Sequence, residues 1–91
     1  MSKVEKILKK WQHKPVSVPK QQVLSIVERY GFEIENKPGS HIIVRHPSLI
    51  KKDHFGPNGE FTIPVKGGQI VKGIYLKTIL KAIAIIEEEI S

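Results

Sequence analysis

Residues 37–47, with the sequence KPGSHIIVRHP, contain the side chains best suited to chemistry. They predict a turn at Gly39, which accepts a positive φ without steric cost, followed by a β-strand of β-branched and long side chains. Side chains alternate along a strand, so His41 and Arg45 share the face opposite to that of Ile42. If Ile42 faces the core, His41 stands on the open face at the start of the strand.

The expected chemistry is acid–base catalysis by the His41 imidazole, a side chain that can take a proton from a hydroxyl group. Lys37 and Arg45 flank it, and Lys66 can approach from a neighbouring turn; cations around an imidazole favour its neutral, proton-accepting form. Ser40 is a candidate hydrogen-bond donor to a phosphate. The alternative is that these are ordinary solvated surface residues, and a lone histidine taken by itself favours that interpretation.

Other site chemistries have less support in the residue pattern. His41, His46 and His54 lie within a short stretch, but the first two are five residues apart and point to opposite faces of a strand. No Asp-rich ligand set accompanies them, so we expect no metal and no cofactor. The glycines at 67 and 68 are too sparse for a phosphate-binding loop, and a Ser–His–Asp hydrolase lacks an evident orienting acid.

The composition bounds the class of protein. The 91 residues make one domain, and the formal net charge of +6 favours RNA, DNA, an acidic protein or an anionic membrane as partner, unless the lysines only keep the protein soluble. There is no Cys, so disulfides and thiolate metal sites do not contribute. No apolar run is long enough to span a bilayer and the N-terminus is broken by lysines, so we expect a cytoplasmic protein without a signal peptide.

Two helices are predicted before the strands. Residues 3–12 carry one apolar stripe with lysines on the other face, and we expect it to pack on the domain because Trp11 is a large group to leave in water. A membrane surface or a partner groove is the alternative for such a basic amphipathic helix. Residues 17–19, SVP, are expected to open a second helix, with the serine or valine as its cap and the proline in its first turn. Gly31 is expected to end it.

Three strands and a final helix follow. The predicted elements are strands at 32–36, 41–45 and 60–65, a loop at 48–59, a connector at 69–73 with at most a short extended piece, and a helix at 74–89. This order, α then α-β-β-β-α, predicts an α+β two-layer sandwich of three antiparallel strands with helices on one face. The last helix is apolar round much of its circumference, so the first helix, a second copy in a homodimer or a partner protein is expected to cover its extra face.

Several short motifs occur in an order and spacing that resemble a known family. They are Gly31-Phe32, KPGSH at 37–41, His46-Pro47, TIPV at 62–65, and Lys72-Gly73 followed by LKTIL at 76–80. Together they resemble the HicA-type toxins of bacterial toxin–antitoxin pairs, over most of the chain. The resemblance implies a double-stranded-RNA-binding-like fold, an mRNA interferase activity that needs no ribosome, and a HicB-type antitoxin as partner. It also implies that His41 is the catalytic histidine.

Three departures from the family pattern bear on the activity. Many members carry two adjacent histidines after the Gly-Ser pair, and the second place is Ile42 here. Many carry a histidine shortly after the third strand, where this chain has Lys66. The N-terminal helix and the long loop at 48–59 are additions to the short form of the family. We therefore expect residues 1–15 to be an added amphipathic helix and linker, and residues 16–91 to be the RNA-binding nuclease domain.

The resemblance makes a small RNA-cleaving toxin the leading functional expectation, metal-independent, with one histidine as general base and a HicB-like antitoxin that holds it inactive. One general base contributes roughly 100- to 10,000-fold, which suits a slow nuclease. The main alternative is a non-catalytic double-stranded-RNA-binding module, which contacts phosphates and 2′-hydroxyls by shape. A membrane-surface protein led by the first helix is the third possibility.

Overall fold

The computed structural model describes residues 2–38 and 40–90. Its helices are α1 (Lys3–Gln12), α2 (Lys20–Arg29) and α3 (Leu76–Ile90), and its strands are β1 (Ser17–Pro19), β2 (Glu33–Lys37), β3 (His41–Arg45), β4 (Glu60–Pro64) and β5 (Ile70–Lys72). Two short 3-10 turns, Pro47–Leu49 and Gly73–Tyr75, complete the regular structure of this part of the chain. The conformation predicted for Gly39 lies outside the described residues.

Strands β2, β3 and β4 form an antiparallel sheet with β3 in the middle. Along β3 the side chains of Ile42 and Val44 are buried while His41 is exposed, as the alternation of a strand predicts. In the register of the sheet, His41 lies between Lys37 on β2 and Pro64 on β4. The buried residues of this sheet join those of the helices in one core, so the predicted α+β fold is confirmed.

Residues 17–19 do not open the second helix, and this prediction was wrong. They form β1, which pairs antiparallel with β5 and places Val18 opposite Val71, both of them buried. The proline stays extended and is the N-cap residue of α2, without a side-chain cap. The backbone N–H of Lys20 instead donates to the carbonyl of Gln69 at 2.7 Å. Burial of the two valines and strand pairing therefore override the local signal for a helix start.

Helix α2 ends at a glycine, as predicted. Gly31 has a φ of +82°, a conformation that side chains with a Cβ rarely adopt. Its N–H donates to the carbonyl of Glu28 at 3.1 Å, and the N–H of Phe32 donates to the carbonyl of Val27 at 3.0 Å. These two bonds form a Schellman motif, which directs the chain into β2 with Phe32 buried in the core.

Helix α1 packs on the domain, as its apolar stripe predicts. Trp11 is 2% exposed, and its Nε1–H donates to Oε1 of Gln22 on α2 at 2.9 Å. Val4, Ile7 and Leu8 pack against the same core, and α1 also contacts α3. The first helix therefore covers part of the broad apolar surface of α3, and its own apolar stripe is used within the domain.

Helix α3 begins at Leu76, two residues later than predicted, because Gly73–Tyr75 forms a 3-10 turn. The N–H of Gly73 donates to the carbonyl of Val16 at 2.8 Å. A Cβ at Gly73 would collide with the carbonyl oxygen of Pro15. The linker after α1 and the start of α3 are thus in direct backbone contact. Within the described ranges, no helix is both long and apolar enough to cross a membrane.

Trp11→Ala removes the one fully buried side chain of α1. We expect the free energy of unfolding to fall by roughly 3–5 kcal/mol, because the substitution leaves a cavity in the core. Urea denaturation followed by circular dichroism measures this loss. Lys6→Ala, at an exposed position of the same helix, is the control and should change stability by no more than about 0.5 kcal/mol. Equal stability of the two variants would show that α1 contributes nothing to the core.

Candidate functional site

His41 stands at the start of β3 with its imidazole exposed. Its direction is set by Ile42 and Val44, which are 1% and 0% exposed on the opposite face of the strand. Within residues 2–38 and 40–90, no hydrogen bond or ion pair engages the His41 side chain. Both ring nitrogens are therefore available to a substrate.

The imidazole borders a cleft of about 410 Å³. Five segments build this cleft: the start of β3, the end of β4, the turn that follows β4, the end of β5, and the 3-10 turn before α3. The N–H of Val65 donates to the carbonyl of Ser40 at 2.6 Å, which fixes the first two segments against each other. The residues that give the cleft its shape and charge are Ser40, His41, Pro64, Lys66, Lys72 and Tyr75.

Lys66 reaches the cleft because a tight turn reverses the chain directly after β4. The N–H of Lys66 donates to the carbonyl of Ile70 at 2.7 Å, and the N–H of Ile70 donates back to Lys66 at 3.1 Å. Three residues lie between them, and two of these, Gly67 and Gly68, have φ of +60° and +72°, left-handed values that glycine adopts without steric cost. The structure thus brings Lys66, Ser40 and His41 together.

Lys37 and Arg45, the other two predicted phosphate-binding cations, do not line the cleft. The Nζ of Lys37 lies 2.7 Å from Oε2 of Glu35. Arg45 donates to Oε1 of Glu35 at 2.9 Å, and its Nη1 lies 3.7 Å from Oε1 of Glu33. Arg45 is at the far end of β3, about 13 Å from His41 at the usual rise of a strand. The open face of the sheet therefore carries paired charges.

Glu35 is the centre of this charge cluster, and the sequence analysis did not single it out. Hydrogen bonds from Lys37 and then from Arg45 lower the pKa of the Glu35 carboxyl from 4.5 to about 2. The hydrogen bond to Glu35 in turn raises the pKa of the Arg45 guanidinium. The signal was present in the sequence, because the period of a strand places Glu33 and Glu35 on the face that Arg45 shares across the hairpin.

Lys72 and Tyr75 are cleft residues to which the sequence analysis assigned no role. Lys72 ends β5 opposite Ser17, and Tyr75 ends the 3-10 turn that follows. Both reach the cleft because the pairing of β1 with β5 holds this part of the chain beside the sheet. The only sequence signal was the Lys72-Gly73 motif, which contributed to the family resemblance.

His46 and His54 lie near His41 in the sequence, but the structure does not place them around its imidazole. The Nδ1 of His46 accepts the N–H of Ser48 at 3.0 Å, and its ring meets that of Phe32 edge-on at 5.3 Å. His54 is exposed in the loop with a φ of +76°. In the part of the chain that the structure describes, no group of three or more His, Asp or Glu side chains is placed to hold a metal ion.

A second groove, of about 490 Å³, lies between α1 and α2 and has no histidine in its lining.

Residues 21–85 match the family model described as HicA toxin of bacterial toxin-antitoxin. The match covers more than half of the chain, contains every residue of the cleft, and leaves out α1. No curated protein and no solved structure matches the chain.

We expect the free energy of unfolding of Glu35→Gln to change less with pH in the acid range than that of the wild type. The pKa of Glu35 is lowered on folding, so its contribution to stability is present above about pH 4.5 and is lost as the pH falls toward about 2. The difference in free energy of unfolding between the wild type and Glu35→Gln should therefore exist at pH 7 and shrink across that interval. Urea denaturation at a series of pH values measures it.

The control for this experiment is Glu28→Gln, on the exposed side of α2. Glu28 makes no side-chain ion pair or hydrogen bond within residues 2–38 and 40–90, so its substitution should give a difference that stays flat with pH. A difference for Glu35→Gln that is equally flat would contradict the charge cluster.

Proposed function

This chain belongs to the HicA family of bacterial toxins, and we propose that it cleaves messenger RNA with His41 as the general base. The observation that supports this proposal most is an exposed imidazole, with no hydrogen bond or ion pair among the described residues, that borders a cleft with two lysines. HicA toxins pair with HicB antitoxins, and we propose that a HicB-type protein keeps this toxin inactive.

The proposed reaction needs no metal, because RNA carries its own nucleophile. A nitrogen of the His41 imidazole takes the proton of a ribose 2′-hydroxyl. The 2′-oxygen forms a bond to the adjacent phosphorus, and the bond from that phosphorus to the 5′-oxygen of the next nucleotide breaks. The leaving 5′-oxygen takes a proton from water. The products are a 2′,3′-cyclic phosphate and a 5′-hydroxyl end.

Lys66 and Lys72 are the cations that line the cleft with His41. Negative charge builds on the phosphoryl oxygens in the transition state, and ammonium groups held near them stabilise that charge. Lys66 stands where many family members have a histidine. In this chain the position therefore supplies a fixed positive charge to the phosphate.

The absence of a second histidine directly after His41 is compatible with activity, because the side chain at position 42 points away from the cleft. Ile42 is 1% exposed and packs in the core. A side chain there points away from the face on which His41 lies. Isoleucine at this position therefore removes no group from the cleft, and it adds apolar contacts to the sheet.

Non-catalytic binding of double-stranded RNA is the competing function. Such a module contacts phosphates and 2′-hydroxyls over a broad surface. The open face of the sheet is poorly suited to this, because Lys37 and Arg45 are paired with carboxylates there. Lys66 and Lys72 line the cleft with His41, and among the described residues no carboxylate pairs with them, an arrangement that favours cleavage.

We further propose that residues 16–91 are the RNA-cleaving unit and that residues 1–15 are an added helix and linker. The family match begins after α1, which supports this division. Trp11 nevertheless belongs to the common core, so the added helix serves stability. A cytoplasmic location and a homodimer through α3 remain predictions.

His41→Ala is expected to lower the cleavage rate of an oligoribonucleotide by roughly 100- to 10,000-fold. The fold and the binding of RNA should be retained, since the exposed imidazole makes no side-chain bond within the described residues. His13→Ala is the control, because His13 is also exposed but lies outside the cleft. Growth arrest on induced expression should be lost only in His41→Ala. Unchanged cleavage and arrest in that variant would reject His41 as the base.

Changes to the RNA substrate test the proposed reaction without any change to the protein. An oligonucleotide with hydrogen in place of every 2′-hydroxyl should bind but stay intact, because it lacks the nucleophile. Excess EDTA should leave cleavage of the ribose form unchanged. Mass spectrometry of the products should find a 2′,3′-cyclic phosphate or the 3′- or 2′-phosphate formed from it. A 3′-hydroxyl product, or loss of activity in EDTA, would contradict the proposed mechanism.

A further inference from the structure

We propose that Tyr75 and Lys72 form a nucleotide subsite beside His41, in which an unpaired RNA base stacks on the Tyr75 ring and a phosphate lies between Lys66 and Lys72. This inference rests on the proposed function and names the form of RNA that the cleft accepts. It gives a role to Tyr75, which the proposed cleavage chemistry does not require, and adds a binding role to Lys72.

Tyr75 is a suitable stacking surface because its ring is held in place. It is partly buried, packs against the core, and ends the 3-10 turn that leads into α3. The turn itself is tied to the linker through the hydrogen bond from Gly73 to Val16. A side chain that is already fixed loses little conformational freedom when a ligand binds. Tyr75 lines the same cleft as His41.

The two lysines of the cleft differ from those of the sheet face in their charge environment. Among residues 2–38 and 40–90, neither Lys66 nor Lys72 pairs with a carboxylate, whereas Lys37 is paired with Glu35. Gly67, which also lines the cleft, has no side chain, and the space that a Cβ would occupy is open. A phosphate can therefore approach the backbone of this turn as well as both ammonium groups.

The contact with Tyr75 selects an unpaired base. In a duplex both faces of each base are covered by its neighbours, so an aromatic side chain can stack only on a base that has left the helix. A cleft of about 410 Å³ is also in the range of small-ligand sites, and a duplex would instead need a broad surface. The geometry therefore points to single-stranded segments and loops as the form of RNA that this protein takes.

The test uses the full chain with His41→Ala, so that RNA is bound without being cut. The probes are a fluorescein-labelled single-stranded oligoribonucleotide of mixed sequence and the same strand annealed to its complement, compared by fluorescence anisotropy. Tyr75→Leu, added to this background, keeps an apolar side chain against the core but removes the aromatic face. We expect it to weaken single-strand binding by about 5- to 150-fold, the usual value of one stacked base, and to leave duplex binding unchanged.

Tyr75→Phe is the matched control for stacking, and it should bind as the parent does. Lys72→Gln should reduce the slope of log affinity against log salt by about 0.7, the amount expected for one phosphate contact on a single strand. Lys77→Gln, an exposed lysine in a neighbouring groove, should leave the slope unchanged. Circular dichroism melting of each variant establishes that it is folded.

The outcomes separate the subsite from the proposed reaction. Single-strand affinity that is unaffected by Tyr75→Leu in a folded protein, or a preference for duplex, would overturn the subsite even if the wild type cleaves RNA. Binding that depends on Tyr75 in a protein that cuts no RNA would support the subsite and reject the catalytic proposal. If both hold, Tyr75→Leu in the active chain should raise KM for single-stranded RNA and change kcat little.

Discussion

The burial of Ile42 and Val44 is the physical constraint on which the rest of the site depends. Because side chains on a strand alternate, these two core residues force His41 to the opposite face. A shift of one residue in the register would bring the imidazole into the core and the two apolar side chains into water. The pairing of β3 with a strand on each side fixes that register. The direction of the catalytic candidate is therefore a consequence of core packing.

A second constraint acts over a longer distance along the chain. The pairing of β1 with β5 joins residues near position 17 to residues near position 72, and it buries Val18 and Val71 at its centre. This small two-stranded sheet holds Lys72 and the turn that ends at Tyr75 beside the start of β3. One wall of the cleft therefore belongs to the sheet of β2, β3 and β4. The other wall is held in place by the pairing of β1 with β5, two strands that lie far apart in the sequence.

Local patterns predicted the elements whose signals lie within a few neighbouring residues. These include α1, the hairpin of β2 and β3, the glycine end of α2, and the exposure of His41. The pairing of β1 with β5 was missed because each strand has three residues and the partner is far away in sequence. That omission explains why Tyr75 received no role, since this pairing helps to hold its turn beside the cleft. The partners of Lys37 and Arg45 were missed for a different reason, because Glu33 and Glu35 become neighbours of Arg45 only through the pairing of β2 with β3.

The family resemblance supplied what the residue pattern alone did not. Taken by itself, the sequence around His41 favoured an ordinary surface histidine. The match over residues 21–85 places the chain among the HicA toxins, and the cleft gives the imidazole neighbours suited to a phosphate. Catalysis by His41 remains a proposal that combines these two observations.

Gly73 shows how a residue without chemistry of its own can be mistaken for a catalytic one. Any side chain there meets the backbone of Pro15, so most replacements would push the linker away from the start of α3. In a genetic selection for cells that survive the toxin, such variants would be recovered together with those at His41. Survival would then identify both positions alike, and only the purified, folded protein would distinguish a lost scaffold from a lost reaction.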